Sequence, residues 1–210
     1  MNLYEGALLS KYTTLGTGGP AHRLGNPGTV DELVEMLAWA RDEHLPVAAV
    51  GLGSNLLAAD EGYQGLVLKL GGELASAHAE EGLLLAGGGA PLGVCLHRAR
   101  AAELGGLEFV CAIPGTVGGG VKMNAGAYGG DIASILGRAQ VADADGVAWR
   151  SPEELGLSYR RSALEPGQVV AQAVFRLESR PVEEIKATVA EMQAKRKAAQ
   201  AKATTDQQQQ

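Results

Sequence analysis

The chain has 210 residues, 46% of them hydrophobic, and a formal net charge of −6. That length can bury one large core or two small ones, and the acidic balance excludes the basic face that electrostatic nucleic-acid binding needs. No apolar run approaches the ~20 residues of a membrane span, so no membrane insertion is expected. The N-terminus has no charged-then-apolar leader pattern. Two cysteines, Cys95 and Cys111, form no C-x-x-C, which suits free thiols in a reducing cytosol. The four histidines lie far apart with no metal-ligand spacing, so no metal site is expected. The 30 glycines stand out, being about twice what an average composition supplies.

In chain order, residues 11–21, K-Y-T-T-L-G-T-G-G-P-A, lack helical period and read as a loop or edge strand. Thr29 is an N-cap, Glu32 completes a T-x-x-E capping box, and Val30, Leu33, Val34 and Leu37 share one face. Pro46 is expected to end that helix. Val47 to Val50 then reads as a short buried strand, leading into G-L-G-S-N-L-L, Gly51 to Leu57. Asp60 to Gly65 is a turn and Leu66 to Leu70 a second strand.

Gly71-Gly72 marks a boundary between a first subdomain and a second. Leu83 to Ala86 reads as a strand. A helix from about Pro91 to Leu104 carries Leu92, Cys95, Leu96 and Ala99 on one face, with Gly105-Gly106 as its stop. Cys111 to Gly130 follows as a glycine-rich loop. Ala139–Ala142 and Val147–Trp149 flank D-A-D-G, a hairpin signal. Ser151-Pro152-Glu153-Glu154 starts a short helix, Val169 to Leu177 alternates as a strand, and a last helix aligns Val182, Ile185, Val189 and Met192. Strands mixed with a few helices, without strict βαβ alternation, indicate an α+β fold.

Two stretches carry candidate chemistry. Consecutive N–H groups of a glycine-rich turn form a concave nest for phosphate oxygens, and in Gly51–Leu57 the Ser54 hydroxyl and Asn55 amide add donors. A Rossmann site is excluded there, because it needs a third glycine and a helix opening at the loop. The second stretch, C-A-I-P-G-T-V-G-G-G-V-K-M-N-A-G-A-Y-G-G, holds seven glycines with Asn124 and Tyr128 between them. Glycine at that density weakens regular structure and is tolerated where backbone must approach something closely. A glycine-rich loop with no ligand is the plain alternative.

Four ordered segments, Y-T-T-L-G-T-G-G-P-A, G-L-G-S-N-L-L, I-P-G-T-V-G-G-G-V-K-M-N-A-G-A-Y-G and Y-R-R-S at Tyr159–Ser162, together resemble the UDP-N-acetylenolpyruvoylglucosamine reductases. The resemblance implies two α+β subdomains of the vanillyl-alcohol-oxidase type clasping FAD, at residues 1–71 and 72–179. Residues 180–210 would be a helix and polar tail where a substrate domain begins. It implies that Gly53, Ser54 and Asn55 lie on the pyrophosphate, with Gly51 and Leu56 beside them. Pro114, Gly115, Gly118, Gly119, Asn124, Gly126 and Tyr128 would line the other side of the cofactor.

Arg160 matches the family's catalytic position, where a planar guanidinium can stabilise enolate charge bidentately, and Tyr159 beside it is the expected substrate contact. Without the surrounding motifs, Arg160 and Arg161 would read as two solvated arginines. The implied activity is reduction of the enolpyruvyl ether of a UDP-sugar, NADPH being the transient hydride donor, in cytoplasmic peptidoglycan precursor synthesis of bacteria. The family's S-A-G-x-x-F-K-N-P segment and catalytic glutamate have no counterpart here. A FAD-binding module without turnover is therefore the alternative, with another flavin oxidase of the superfamily behind it. The absent part implies an exposed apolar face on the last helix, open to self-association, and the closing glutamines read as a disordered tail.

Overall fold

The computed structural model describes the backbone of residues 1–207 and side chains through residue 199. Strands β1 (Leu3–Glu5), β2 (Ala21–Gly25), β3 (Val47–Ala49) and β4 (Tyr63–Leu68), with helix α1 (Val30–Asp42) between β2 and β3, make the first layer. The strand order is β1-β2-β4-β3. β1 runs antiparallel to β2, and β4 lies parallel to both β2 and β3. The parallel β3–β4 pair needs a crossover connection, and that crossover is the stretch holding Gly51–Leu57.

The chain continues through β5 (Ala77–Glu80), β6 (Leu83–Gly87), α2 (Leu92–Ala101), β7 (Leu104–Gly105) and α3 (Val117–Lys122). Next come β8 (Gly126–Ala127), β9 (Gly130–Asp131), α4 (Ile132–Ile135), β10 (Leu136–Asp143) and β11 (Gly146–Arg150). It closes with β12 (Val169–Arg176), β13 (Glu178–Ser179) and α5 (Val182–Gln207). The second sheet is antiparallel in the order β11-β10-β12-β6-β5. The two large sheets fall on either side of Gly71-Gly72.

Their cores are not separate. Leu33, Met36, Leu37 and Ala40 of α1 pack on Leu66 and Leu68 of β4, and the same cluster takes in Ala142, Val169 and Ala171 of the second sheet. Each of these leucines contributes roughly 1.5–3 kcal/mol by leaving water, so α1 fastens one sheet to the other. Arg41 adds an ion pair of 2.7 Å to Asp145 at the β10–β11 turn; both groups are exposed, which limits it to ~1 kcal/mol at most. A second cluster, around Leu84, Leu92, Phe109 and Phe175, fills the space under α2 and α3.

Several expectations hold locally. Thr29 Oγ1 accepts the Glu32 N–H at 3.3 Å, although the Glu32 carboxylate reaches back to the Gly28 N–H rather than to Thr29. The β10–β11 hairpin pairs Asp143 with Gly146, and Asp143 accepts the Asp145 N–H at 3.0 Å. Others are corrected. Helix α1 stops at Asp42, before Pro46, because His44 takes a left-handed φ of 56°. The strand at Val47 is an edge strand with no buried residue, not a buried one. β4 starts at Tyr63 and ends at Leu68 rather than spanning Leu66–Leu70. α2 ends at Ala101, and Glu103 with φ 57° turns the chain before the glycines do.

Ser151–Glu154 forms only a capped turn. Ser151 N–H donates to Glu154 Oε2 at 2.7 Å and Glu154 N–H to Ser151 Oγ at 3.3 Å, and Gly156 at φ 55° stops it from propagating. The Cys111–Gly130 stretch is not all loop, since Gly118, Gly119 and Gly120 lie inside α3. Helix α5 packs against the 3₁₀ turn Glu108–Ala112, with Ile185 fully buried and Val182, Val189 and Met192 half-buried. Its exposed stretch 193–199 carries no large apolar side chain. Of the expected open apolar face, Ile185 is covered, while Val182, Val189 and Met192 stay partly exposed. Of the closing glutamines, Gln208 to Gln210 lie outside the described residues. No helix among them is long and apolar enough to cross a membrane.

Candidate functional site

The crossover after β3 is held from three sides. Val50 N–H donates to Leu68 O at 2.8 Å, and the Lys69 ammonium donates to Gly51 O. Burial pulls the Lys69 pKa below the ordinary lysine value. Thr14 N–H and hydroxyl both donate to Gly53 O, at 3.2 and 3.3 Å. Gly53 itself takes φ +67°, and a Cβ there would sit 2.0 Å from Tyr12 O; only glycine fits. Among the described residues, no N–H group from Gly51 to Leu56 donates to a protein acceptor. A run of unengaged backbone donors in a glycine turn is an anion nest.

The second stretch meets the first. Ser54 Oγ donates to Pro114 O at 2.7 Å, and a Cβ on Gly51 would come within 2.5 Å of Thr116 Oγ1. Helix α3 starts here despite its glycines because its backbone must run against Gly88. Gly118 N–H donates to Gly88 O at 2.7 Å, and a Cβ on Gly118 would press to 3.0 Å on that oxygen. Tertiary contact overrides the poor helix propensity of glycine.

Between the two stretches lies a cleft of about 670 Å³. Gly51, Gly53, Ser54, Asn55 and Leu56 form one wall, and Pro114, Gly115, Gly119, Gly126 and Arg160 contribute to the other. Lys122 and Arg160 are its charged lining residues, and no carboxylate lines it. A second cavity of about 350 Å³ shares Ala49, Val50, Gly51, Thr116, Gly119 and Lys122 with the first, and Gly118 lines this one only.

Three candidate residues line neither cavity. Asn124 is 4% exposed, and its carboxamide is fully engaged inside the protein. It donates to Ser158 O at 3.1 Å and Asp131 Oδ2 at 3.2 Å, and accepts the Ala133 N–H at 2.9 Å. Tyr128, in the turn between β8 and β9, points outward with φ 53°. Tyr159 is 88% exposed at the tip of a tight turn closed by Ser158 and Arg161. Arg160, in the same turn, folds back so that Nη2 donates to Gly126 O at 2.7 Å, with its guanidinium 5.2 Å from the Tyr159 ring.

The Ser54 hydroxyl proton is likewise committed to Pro114 O, so Ser54 staples the two stretches rather than offering a free donor. Sequence reasoning missed Lys69 and Lys122. Lys122 was in plain view within V-K-M-N, and Lys69 ends a β-strand pattern; only topology brings Lys122 to the cleft and Lys69 to the Gly51 carbonyl behind it.

These residues fit a long dianionic dinucleotide. Two contiguous cavities lie within the size of ordinary ligand sites, a bare-amide nest lines the larger with Gly51 at their junction, the larger has no carboxylate to repel phosphate, and the close-packed glycines leave no room for a Cβ. That defines a flavin-dinucleotide-binding protein of α+β architecture, and residues 22–151 match the family model described as FAD binding domain. The fold is of the vanillyl-alcohol-oxidase type.

A UDP-N-acetylenolpyruvoylglucosamine reductase of Agathobacter rectalis is 41% identical over 212 residues, covering 93% of this chain and 67% of that protein. UDP-N-acetylenolpyruvoylglucosamine reductase 2 of Symbiobacterium thermophilum is 44% identical over 171 residues, covering 80% and 56%. The crystal structure of the Thermus caldophilus reductase, MurB, superposes with a TM-score of 0.83 at 40% identity, covering 94% of this chain and 70% of that one. The chain belongs to the UDP-N-acetylenolpyruvoylglucosamine reductase family. It spans 56% and 67% of the length of the two curated relatives named.

Proposed function

We propose that this protein binds FAD across the joined cavities and, with NADPH as hydride donor, reduces the enolpyruvyl ether of UDP-N-acetylglucosamine to UDP-N-acetylmuramate. The setting is bacterial peptidoglycan precursor synthesis in the cytoplasm. Residues 1–71 and 72–179 act as two subdomains clasping the cofactor. The Gly51–Leu56 amides hold the diphosphate, with Gly115 and Gly119 facing them. When bound, FAD supplies hydride transfer, which no side chain of the cleft can perform.

The observation that carries this reading is Arg160 on the cleft wall, oriented by Gly126 O. A guanidinium stays charged at any working pH and offers a planar fork of donors. It is suited to accept the negative charge that spreads into the substrate's carboxylate. The apolar remainder of the wall, including Val50, Leu56 and Leu92, keeps water from weakening that interaction. Tyr159, exposed beside Arg160, is the proposed substrate contact.

One observation favours the second reading, a FAD-binding module without turnover. Reduction of the vinyl group needs a proton delivered to carbon, and the hydroxyls lining the larger cavity belong to Ser54 and Thr116, the former already donating to Pro114 O. NADPH oxidation followed both anaerobically with substrate and in air without it separates the two. NADPH oxidation that depends on the enolpyruvyl sugar nucleotide supports the reductase. Slow, substrate-independent oxidation in air by a yellow protein supports the module. A colourless protein that refuses added FAD refutes both.

A further inference from the structure

From Lys122 to Gly126 the chain binds the Ser158–Leu164 segment at every second residue. Lys122 Nζ donates to Leu164 O at 2.6 Å, and Lys122 O accepts the Ser162 hydroxyl at 2.8 Å. Asn124 Nδ2 donates to Ser158 O at 3.1 Å. Gly126 O accepts Arg160 Nη2 at 2.7 Å. Lys122 and Gly126 also line the cleft, so one short stretch faces the ligand on one side and the Arg160 turn on the other.

The turn needs such support. Arg160 carries a left-handed φ of 56°, a conformation that non-glycine residues keep only when their surroundings over-determine it. Neighbouring Tyr159 is exposed and offers Arg160 only its ring, 5.2 Å from the guanidinium. Asn124 is itself at φ 38° and buried, with its carboxamide bound to two other segments, at Asp131 and Ala133 and at Ser158.

We propose that Asn124 and Lys122 are positioning residues that dock the Arg160 turn onto the cofactor-lining segment, so that filling the cleft sets where the guanidinium stands. This rests on FAD occupying the cleft as read above. Neither residue contacts reacting atoms. They act through Arg160, by holding residues 158–164 in register with Gly126.

The test is hydrogen–deuterium exchange on the full chain with and without FAD. Exchange at residues 51–56 reports cofactor binding, and exchange at 158–164 reports the turn. In the wild type FAD protects both, slowing the turn by roughly tenfold, the change expected if one or two of these hydrogen bonds tighten. Asn124→Asp removes the donor to Ser158 O and sets a carboxylate against Asp131. Lys122→Met removes the link to Leu164 O. Ser162→Ala, at an exposed hydroxyl, removes only the bond to Lys122 O and serves if Asn124→Asp fails to fold.

Asn124→Asp and Ser162→Ala, at residues that line neither cavity, are expected to keep FAD protection at 51–56 and to lose most of it at 158–164; Lys122→Met, at a residue that also lines the cleft, is expected to lose it at 158–164. A purely structural role would instead raise exchange across the fold and leave the FAD-induced protection of the turn in place. Protection of 158–164 unchanged in Asn124→Asp, Lys122→Met and Ser162→Ala overturns the proposal. Wild-type protection confined to 51–56 overturns it while sparing the FAD reading. No protection at 51–56 removes that reading and this inference together.

Discussion

Replacing Gly53 by alanine is the sharpest perturbation of the anion nest. Its φ of +67° costs an L-residue roughly 1–2 kcal/mol. The new methyl would also stand 2.0 Å from Tyr12 O and 2.7 Å from Thr13 Cα. Both are backbone atoms that cannot rotate away, so the overlap adds roughly 1–3 kcal/mol of overpacking. If the loop relieves the sum by moving, the binding-competent loop becomes a minor state. Apparent FAD affinity then falls by that fraction, roughly 30-fold to more than 1,000-fold. Gly129→Ala is the matched control, since its φ is +84° with nothing within 4 Å: it carries the conformational cost alone, outside the cleft. Flavin fluorescence titration of both variants beside the wild type reads the difference. Gly53→Ala binding FAD as tightly as Gly129→Ala would refute the close approach of Tyr12 and the nest built on it.

Arg160→Ala is expected to leave FAD affinity within a few-fold of wild type while cutting substrate-dependent NADPH oxidation about 10²–10³-fold, as for loss of one charge-stabilising donor; loss of flavin instead contradicts its assignment. Lys69→Met removes a charged donor from Gly51 O and is expected to weaken FAD binding about tenfold or more, read by the same titration. Cys95 is fully buried, and burial pushes its thiol up to about 12 from an ordinary value of 9.0. The folded state therefore holds that proton more tightly than the unfolded chain. Its contribution to stability is intact below pH 9.0 and is lost as pH rises toward about 12, by at most ~1.4 kcal/mol per pH unit. Urea midpoints at pH 8 and pH 10 for wild type and Cys95→Ala check this, the variant losing less on alkalinisation. Glu108 is buried at 4% and binds both Arg180, at 3.0 Å, and the Gly106 N–H, at 2.7 Å. Glu108→Ala should destabilise by roughly 1–3 kcal/mol, discounted because Arg180 is partly exposed, and should speed proteolysis within α5.

How much of this was legible in the sequence depends on what kind of information each residue carries. Gly53 was readable because left-handed backbone and close approach leave glycine as the natural residue. The β10–β11 hairpin and the Thr29 cap were readable because their signals are local. Strands β1, β2 and β5 were not, since three to five residues such as A-H-R-L-G show neither alternation nor an apolar run. Gly118–Gly120 was misread as loop because propensity penalises glycine in helices. Only the approach of Gly88 O, distant in sequence, explains the exception. Asn124 and Ser54 show a different limit: residue type says that a side chain can donate, and topology decides whether that donor faces a ligand or is already engaged with Ser158 O or Pro114 O. Lys122 was overlooked for the complementary reason, as a lone lysine means little until two cavities are found to share it.

A crystal structure of the protein grown with FAD tests the central claim most directly. The account predicts diphosphate oxygens within hydrogen-bonding distance of the Gly51–Leu56 amides, with the flavin ring in the larger cavity on the side of Arg160. Flavin bound elsewhere, or in the cleft with its diphosphate away from those amides, contradicts it.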